Sequence, residues 1–393
     1  MRPMHNKPTT FLLNFGHALD HMFLLIFATA VTSVAQDFGI SHWEDLMPYS
    51  VAAFFFFGLG SLPSGRLGDL WGRRPMMIVF FIGIGVAALL VALTQTPLQL
   101  ALALALLGCF ASIYHPVGIP MLVQGAKRAG WTIGVNGLSG NLGLALAAVV
   151  TGFFVKYFGW RLAFVIPGLL SIACGLLFAH FAPREATSPA KKTRVSSTEP
   201  ASLSVASLLL IMTVASTTGS LVFNFSTSSN YELLSSKFVQ ISTDPAFLGL
   251  ALALVYALAS LTQLLVGHLL DSMSLRKLYR IVISIQLLAL LLANVSDGWL
   301  FYAVLLLFMA AVFGAVPFTD AMLVRYVDDT MRSRVAGMRL AVALGASSLA
   351  VWLIGPIVKA AGFSALIWVM LASAGLTFAV VSFLPKTTPA APA

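Results

Sequence analysis

A chain of 393 residues that is 59% hydrophobic and only 9% charged is not built as a soluble domain, where charged residues run at about 25%. Its net charge of +9 would suit nucleic acid, but the basic residues are dispersed between long apolar stretches, which excludes that partner. Cys109 and Cys174 each lie inside an apolar run, so neither a disulfide framework nor a cysteine metal site is expected.

A bilayer span needs about 20 mostly apolar residues. Twelve are predicted, at roughly 11–35, 46–69, 74–94, 97–124, 132–156, 161–181, 203–227, 246–270, 276–295, 298–323, 335–358 and 362–384. The first could pass for a signal peptide, with Arg2 and Lys7 ahead of it and Ser33-Val34-Ala35 behind. It is interrupted by His17, Asp20 and His21 and is long enough to cross a membrane, so it is read as an uncleaved span. Between the sixth and seventh spans, 183–202 carries Pro183, Pro189, Pro200, Lys191, Lys192 and Arg194 among Ser and Thr, the composition of a linker. The predicted protein is all-α and polytopic, with a six-helix bundle over 1–182, a cytoplasmic linker over 183–202 and a second six-helix bundle over 203–393.

Lysine and arginine set the orientation. With both termini in the cytoplasm, Lys156, Arg161, Lys237 and Lys359 remain outside, Arg339 lies within a helix and the other Lys and Arg fall inside. Trp43, Trp160 and Trp299 then sit at outer helix ends, and Trp71 and Trp131 at inner ones, as interfacial anchors.

The two halves repeat. Gly65-Arg66-Leu67-Gly68-Asp69-Leu70-Trp71-Gly72-Arg73-Arg74 returns 202 residues later, worn down, as Gly267-His268-Leu269-Leu270-Asp271 followed by Arg276-Lys277. Pro116 with Met121-Leu122-Val123 matches Pro317 with Met322-Leu323-Val324 at an offset of 201. Gly152, Val155-Lys156 and Gly159 match Gly355, Val358-Lys359 and Gly362 at an offset of 203. Parallel repeats of this kind point to a transporter with alternating access around a central cavity.

The hinge, its copy and the six-plus-six layout resemble the major facilitator superfamily over essentially the whole chain. Gly16-His17-Ala18-Leu19-Asp20, Tyr114-His115-Pro116 and Gly140-Asn141-Leu142-Gly143 resemble bacterial members of the fosmidomycin-resistance type. The chain departs from the drug/proton antiporter pattern at two points: no arginine near Gly108 in the fourth span, and Asn141 where that pattern has proline. The resemblance implies that Asp69, with Gly65, Gly72, Arg73 and Arg74, holds the turn and meets the start of the eleventh span as a cytoplasmic latch. Gly267 and Asp271 would be its weaker counterpart. Arg73 and Arg74 also read as ordinary positive-inside charges.

Intramembrane polar residues are the mechanistic candidates. Asn14, His17 and His21 recur at spacings of three and four, hence on one helix face, with Asp20 beside it. At 1.5 Å per residue Asp20 lies roughly 14 Å deep, near the midplane of a core about 30 Å thick. An ionised carboxylate there is costly unless water or a partner compensates. With a histidine, which ordinarily titrates near neutrality, it forms a candidate proton-coupling pair, against readings as a solute contact or a structural cluster. His115 lies at a similar depth. The resemblance places spans one, four, seven and ten around the cavity, so His115 should face His17 or Asp20. Asn141 and Asn224 are further cavity candidates, and Asp320 with Arg339 a candidate cytoplasmic gate.

The expected protein is therefore a proton-coupled transporter of a small organic solute in the bacterial inner membrane. Efflux is favoured over uptake by symport, and the protein is expected to work as a monomer in the lipid bilayer without a cofactor. No motif of an enzyme is present in the sequence. A divalent-cation site from His17, Asp20, His21 and His115 is the weaker reading and no metal is assigned. A non-transporting receptor on the same fold is disfavoured by the near-intact hinge.

Overall fold

The computed structural model describes residues 7–123, 129–184, 205–326 and 329–385. Within those ranges the side chains at 69, 123, 129–131, 133, 205–206, 271, 320, 323–325, 329–340 and 344 are outside the description. The side chains of Asp69, Asp271, Asp320, Arg339 and Trp131 therefore lie outside the described residues, as does nearly all of the 183–202 linker.

Every regular element among the described residues is helical. Helix α1 spans Lys7–Asp37, and two short 3-10 turns at Trp43–Asp45 and Met47–Ser50 lead into α2, Val51–Trp71. Then follow α3 (Arg73–Ala92), α4 (Pro97–Ala111), α5 (Ala129–Tyr157) and α6 (Trp160–Phe181). The second half has α7 (Val205–Lys237), α8 (Pro245–Ser260, continued by Thr262–Ser272), α9 (Leu275–Val295) and α10 (Gly298–Tyr326). A last helical stretch, Asp329–Val381, breaks at Gly362, whose φ of 73° and ψ of 178° are not helical. It supplies α11 (329–361) and α12 (363–381). Among the described residues eleven stretches are long and apolar enough to span a membrane, and the last of these, Ala341–Val381, contains parts of both α11 and α12.

The elements form where local chemistry directs them. Thr96 caps α4 by accepting from the Gln99 amide, and Asp244 caps α8 by accepting from the Ala246 amide, with proline at the next position in each case. Positive φ at Gly72 and Gly159 turns the chain between α2 and α3 and between α5 and α6. Two predicted spans differ from the observed ones. The second begins as 3-10 turns around Pro48 rather than as one helix. The fourth is not continuous, because Pro116 cannot donate a backbone hydrogen bond and the helix widens into a π turn at Tyr114–Gly118 before resuming at Ile119–Val123.

The sequence repeat is a structural one. Arg74 donates to the carbonyls of Ala182 (2.9 Å) and Ala179 (2.5 Å) at the end of α6. Arg276 donates to the Leu384 carbonyl just beyond α12 at 3.2 Å, and both Arg276 and Leu384 lie 202 residues after Arg74 and Ala182. A cation on the last carbonyls of a helix answers both their unmet hydrogen bonds and the helix dipole. The turn itself differs: Gly72 takes φ 97°, whereas its counterpart Ser274 takes φ −65° and ψ 132°, which any residue adopts. The second copy has no glycine there because its backbone does not need one.

Helices α5 with α8, α2 with α11 and α1 with α7 make the seams between the two bundles. A methyl group on Gly152 would overlap the Pro245 carbonyl, and one on Gly355 would overlap the Glu44 carbonyl, so these glycines set how closely the halves approach. Beside them Lys156 pairs with Asp244, and Lys359 with Asp45 at 2.5 and 2.7 Å. All of these contacts lie at the end of the bundles opposite the chain termini. Thr32 donates to Glu232 at 2.7 Å, joining α1 to α7. Trp160 does not act as the expected surface anchor: it is buried against Phe38 and Phe164 and donates to Asp37.

Candidate functional site

The site is assembled where α1 crosses α4 and α5. The crossing is close because Gly140 and Gly143 of α5 lack side chains. A Cβ on Gly140 would sit 2.7 Å from the His17 ring, and one on Gly143 would overlap the backbone of Ala18. The motif Gly140-Asn141-Leu142-Gly143 thus has a packing cause.

Asn136 of α5, which sequence reasoning did not single out, is the hub. Its carbonyl accepts from His17 Nδ1 at 2.7 Å, and its side-chain amide donates to Asn14 Oδ1 (2.9 Å) and to the Tyr114 hydroxyl (2.7 Å). Tyr114 in turn donates to the Leu13 carbonyl at 2.8 Å and stacks on His17, ring centroids 4.7 Å apart. From the π turn, Tyr114 thus reaches α1 and α5, while its neighbour His115 stands beside Asp20 of α1. Two residues of the predicted face of α1, Asn14 and His17, are thus held by one residue of another helix.

Around this anchor the predicted residues converge. His17 lies 4.7 Å from His21 and 5.1 Å from His115, centroid to centroid, and His21 lies 5.8 Å from His115. His115 Nε2 is 3.7 Å from Asp20 Oδ2. Asp20 is 0% exposed, and neither of its carboxyl oxygens has a hydrogen-bond partner among the described residues. The same holds for Nε2 of both His17 and His21. Buried polar atoms are nearly always paired, so four without a partner among the described residues single this cluster out as the candidate site.

His21 and His115 open onto a cavity of ≈ 290 Å³ between the halves. Its far wall comes from the second half, including Asn224, Ser220, Ser347 and Gln286, with Phe54 and Phe57 supplying apolar surface. Asn224 donates to the Ser220 carbonyl and to Ser347 Oγ, each at 2.8 Å, so this wall is internally bonded. Asn141 is buried with an unpaired Nδ2 but does not line the cavity. A larger groove, ≈ 670 Å³, runs along α9 beside Arg276, Lys277 and Arg280 and does not reach the buried cluster.

At the hinge, Arg73 donates to the Pro120 carbonyl at 3.2 Å and Arg74 to the end of α6, both within the first half. Gly68 packs on Val117, and Gly108 packs against the backbone of Ala53 in α2. That contact leaves no room at Gly108 itself for the arginine of the antiporter pattern.

Two bundles of six membrane helices around a largely apolar cavity that carries a few polar side chains define a transporter-type membrane protein. The sequence matches the family model described as Major Facilitator Superfamily over residues 11–241, and the chain belongs to that superfamily. It is 24% identical to the multidrug resistance protein MdtG of Dickeya zeae (strain Ech586) over 289 residues, 72% of this chain and 70% of that one. It is 30% identical to the puromycin resistance protein pur8 of Streptomyces alboniger over 159 residues, 40% of this chain and 31% of that one. The match to MdtG of Proteus mirabilis (strain HI4320) likewise spans only 50% of that relative's length. Among solved structures, a D-xylose-proton symporter superposes with a TM-score of 0.78 at 15% identity, covering 96% of this chain and 98% of that one. At that identity the likeness shows the fold alone.

Proposed function

We propose that the chain is a proton-coupled secondary transporter that exports a small organic solute across the bacterial inner membrane. The observation that carries this reading is Asp20: fully buried, without a hydrogen-bond partner among the described residues, and 3.7 Å from a histidine that lines the central cavity. Such a carboxyl group takes up and releases a proton according to which side of the membrane the cavity meets, and His115 relays that proton to the cavity. Asn14 and His17 hold the geometry, and His21, Asn224 and the phenylalanines meet the solute. Asn141 serves the same crossing from behind. The relatives named for multidrug and puromycin resistance favour efflux of an organic compound.

The cycle is a rocking of 1–182 against 203–393 about the 183–202 linker, in a monomer with both termini cytoplasmic. In this state the Lys156–Asp244 and Lys359–Asp45 pairs close the outer end. The cytoplasmic end closes through the hinge, with Gly65, Asp69, Gly72, Arg73 and Arg74 as the main latch, Gly267 and Asp271 as its counterpart, and Asp320 with Arg339 as a gate pair.

The test is proton flux in inverted membrane vesicles holding a pH gradient, challenged with drugs, sugars and organic acids. Collapse of the gradient by one class of compound, absent in Asp20→Asn vesicles, is the expected result. Solute accumulation that depends on proton entry in the same direction would overturn efflux in favour of symport.

A further inference from the structure

We propose that His17, Asp20, His21 and His115 form a binding site for a divalent transition-metal ion of the Zn²⁺ or Co²⁺ type. The inference stands on donor geometry rather than on the coupling role of Asp20, because a metal ion and a proton exclude each other on that carboxylate.

Three imidazoles cluster in the membrane interior with one carboxylate beside them; His17, Asp20 and His21 stand at positions i, i+3 and i+4 of α1, and His115 comes from the π turn that follows α4. One nitrogen from each of His17, His21 and His115 lies within 4.8 Å of the others, and the carboxylate stands 3.7 Å from His115 Nε2. A tetrahedral zinc ion with bonds of about 2.0–2.1 Å holds its donors about 3.4 Å apart. The carboxylate–imidazole edge already has nearly that length. The longest nitrogen–nitrogen edge would close by about 1.4 Å, within reach of small side-chain rotations.

The orientation of His17 is the second argument. Its Nδ1 meets a carbonyl, which only accepts, so Nδ1 carries the proton and the neutral ring presents the Nε2 lone pair to the cluster. Metal-bound histidines are typically fixed in this way, by a carbonyl or carboxylate on the nitrogen that does not bind the metal. Among the described residues the lone pair so presented has no hydrogen-bond partner, nor do Nε2 of His21 or the two oxygens of Asp20. One cation answers several of these atoms together, and its charge offsets that of the carboxylate.

The donor set selects the ion. Nitrogen-rich sites with one carboxylate suit zinc, cobalt and nickel, whereas calcium and magnesium take oxygen donors and copper(I) prefers sulfur. Access is through the cavity, where the His21 and His115 rings form part of the wall. The cargo reading and the fixed-ion reading share this chemistry, and the experiment separates them.

The full-length protein, purified in detergent with a histidine-free tag, is titrated with Zn²⁺ by calorimetry and with Co²⁺ by visible absorption. One ion per chain is expected, with the intense bands of tetrahedral Co²⁺ and a zinc-induced rise in thermal midpoint. His115→Ala and His21→Gln should each weaken binding by more than the roughly 10–100-fold that follows loss of an outer hydrogen-bond partner of a ligand. His268→Ala, remote from the cluster, should leave it unchanged. His115→Ala and His21→Gln count only where gel filtration shows a monodisperse protein. No stoichiometric binding, an octahedral Co²⁺ spectrum, or unchanged affinity in both cluster variants overturns the site. With binding established, zinc flux in proteoliposomes assigns it as cargo if zinc crosses and as a fixed ion if it does not.

Discussion

The two halves of the molecule agree at their ends and disagree at their centre. At the ends, Arg74 and Arg276 bind the carbonyls that close α6 and α12, and Lys156 and Lys359 reach across to Asp244 and Asp45. At the centre, His115 has Val316 as its counterpart at the offset that aligns Pro116 with Pro317, and both face the same cavity. Around His115, buried donors and acceptors of the first half are left unpaired, whereas Asn224, Ser220 and Ser347 of the second half bond one another. Duplicated parts are the ones any rocking pair of bundles needs. The unduplicated part is where one half has acquired chemistry and the other has kept a wall.

The largest effect is expected at the unmatched centre. Asp20→Asn should abolish gradient-driven transport while leaving the protein folded, because the amide keeps the shape and removes the proton carrier. Asn224→Ala, in the facing wall, should change affinity for the solute but not coupling, as measured by the ratio of protons to solute moved. Equal loss of coupling in both variants would erase the difference between the halves.

Next come the glycines of the rim. Gly152→Leu and Gly355→Leu each force a side chain into a backbone carbonyl of the other half. Overpacking of this kind costs about 1–3 kcal/mol, here against the state in which this end of the bundles is closed. Cysteine accessibility from the outside should rise in both variants and to a similar extent. A rise in one only would mean that the two seams are not equivalent.

The helix-end arginines should matter less. Arg74→Ala and Arg276→Ala each remove a cation from a helix C-terminus, an interaction of about 0.3–1 kcal/mol. Thermal midpoints should fall slightly and by comparable amounts. A transport defect confined to Arg74→Ala would give the first hinge a role beyond capping.

The smallest effect belongs to the exposed ion pairs. Lys359→Ala should shift the open–closed balance by no more than about fivefold, the usual limit for a surface pair. Its counterpart allows a pH check. The hydrogen bond from Lys156 holds the Asp244 carboxyl below its usual range, outweighing the opposing effect of desolvation. That contribution is complete above the ordinary aspartate pKa and fades as pH falls through the lowered value. Asp244→Asn should therefore leave the pH profile of transport between neutrality and mild acid unchanged, and a shifted profile would place a coupling group at the rim.

Much of this was legible in the sequence, and the limits have physical causes. Twelve apolar stretches and the offset repeat define the fold because bilayer thickness and duplication both leave marks in one dimension. The spacing of Asn14, His17 and His21 defines a face because helical period does so. What that face meets is a property of the α1–α5 crossing, so Asn136 stayed hidden, and Tyr114, Gly140 and Gly143 were visible in motifs without a reason. Lys156 and Lys359 read only as outside charges, because their partners are 88 and 314 residues away in the chain. Glu232 was passed over for the same reason: its partner Thr32 lies 200 residues earlier, across the seam.

The most direct test of the account is a paired assay in proteoliposomes, using a solute that collapses the pH gradient. Solute exchange without a gradient is measured beside gradient-driven transport, for the native protein and for Asp20→Asn. Retained exchange with lost driven transport is the predicted result, since rocking and solute binding survive while the proton has no carrier. Driven transport at native rates in Asp20→Asn would contradict it and return the buried cluster to a purely structural role.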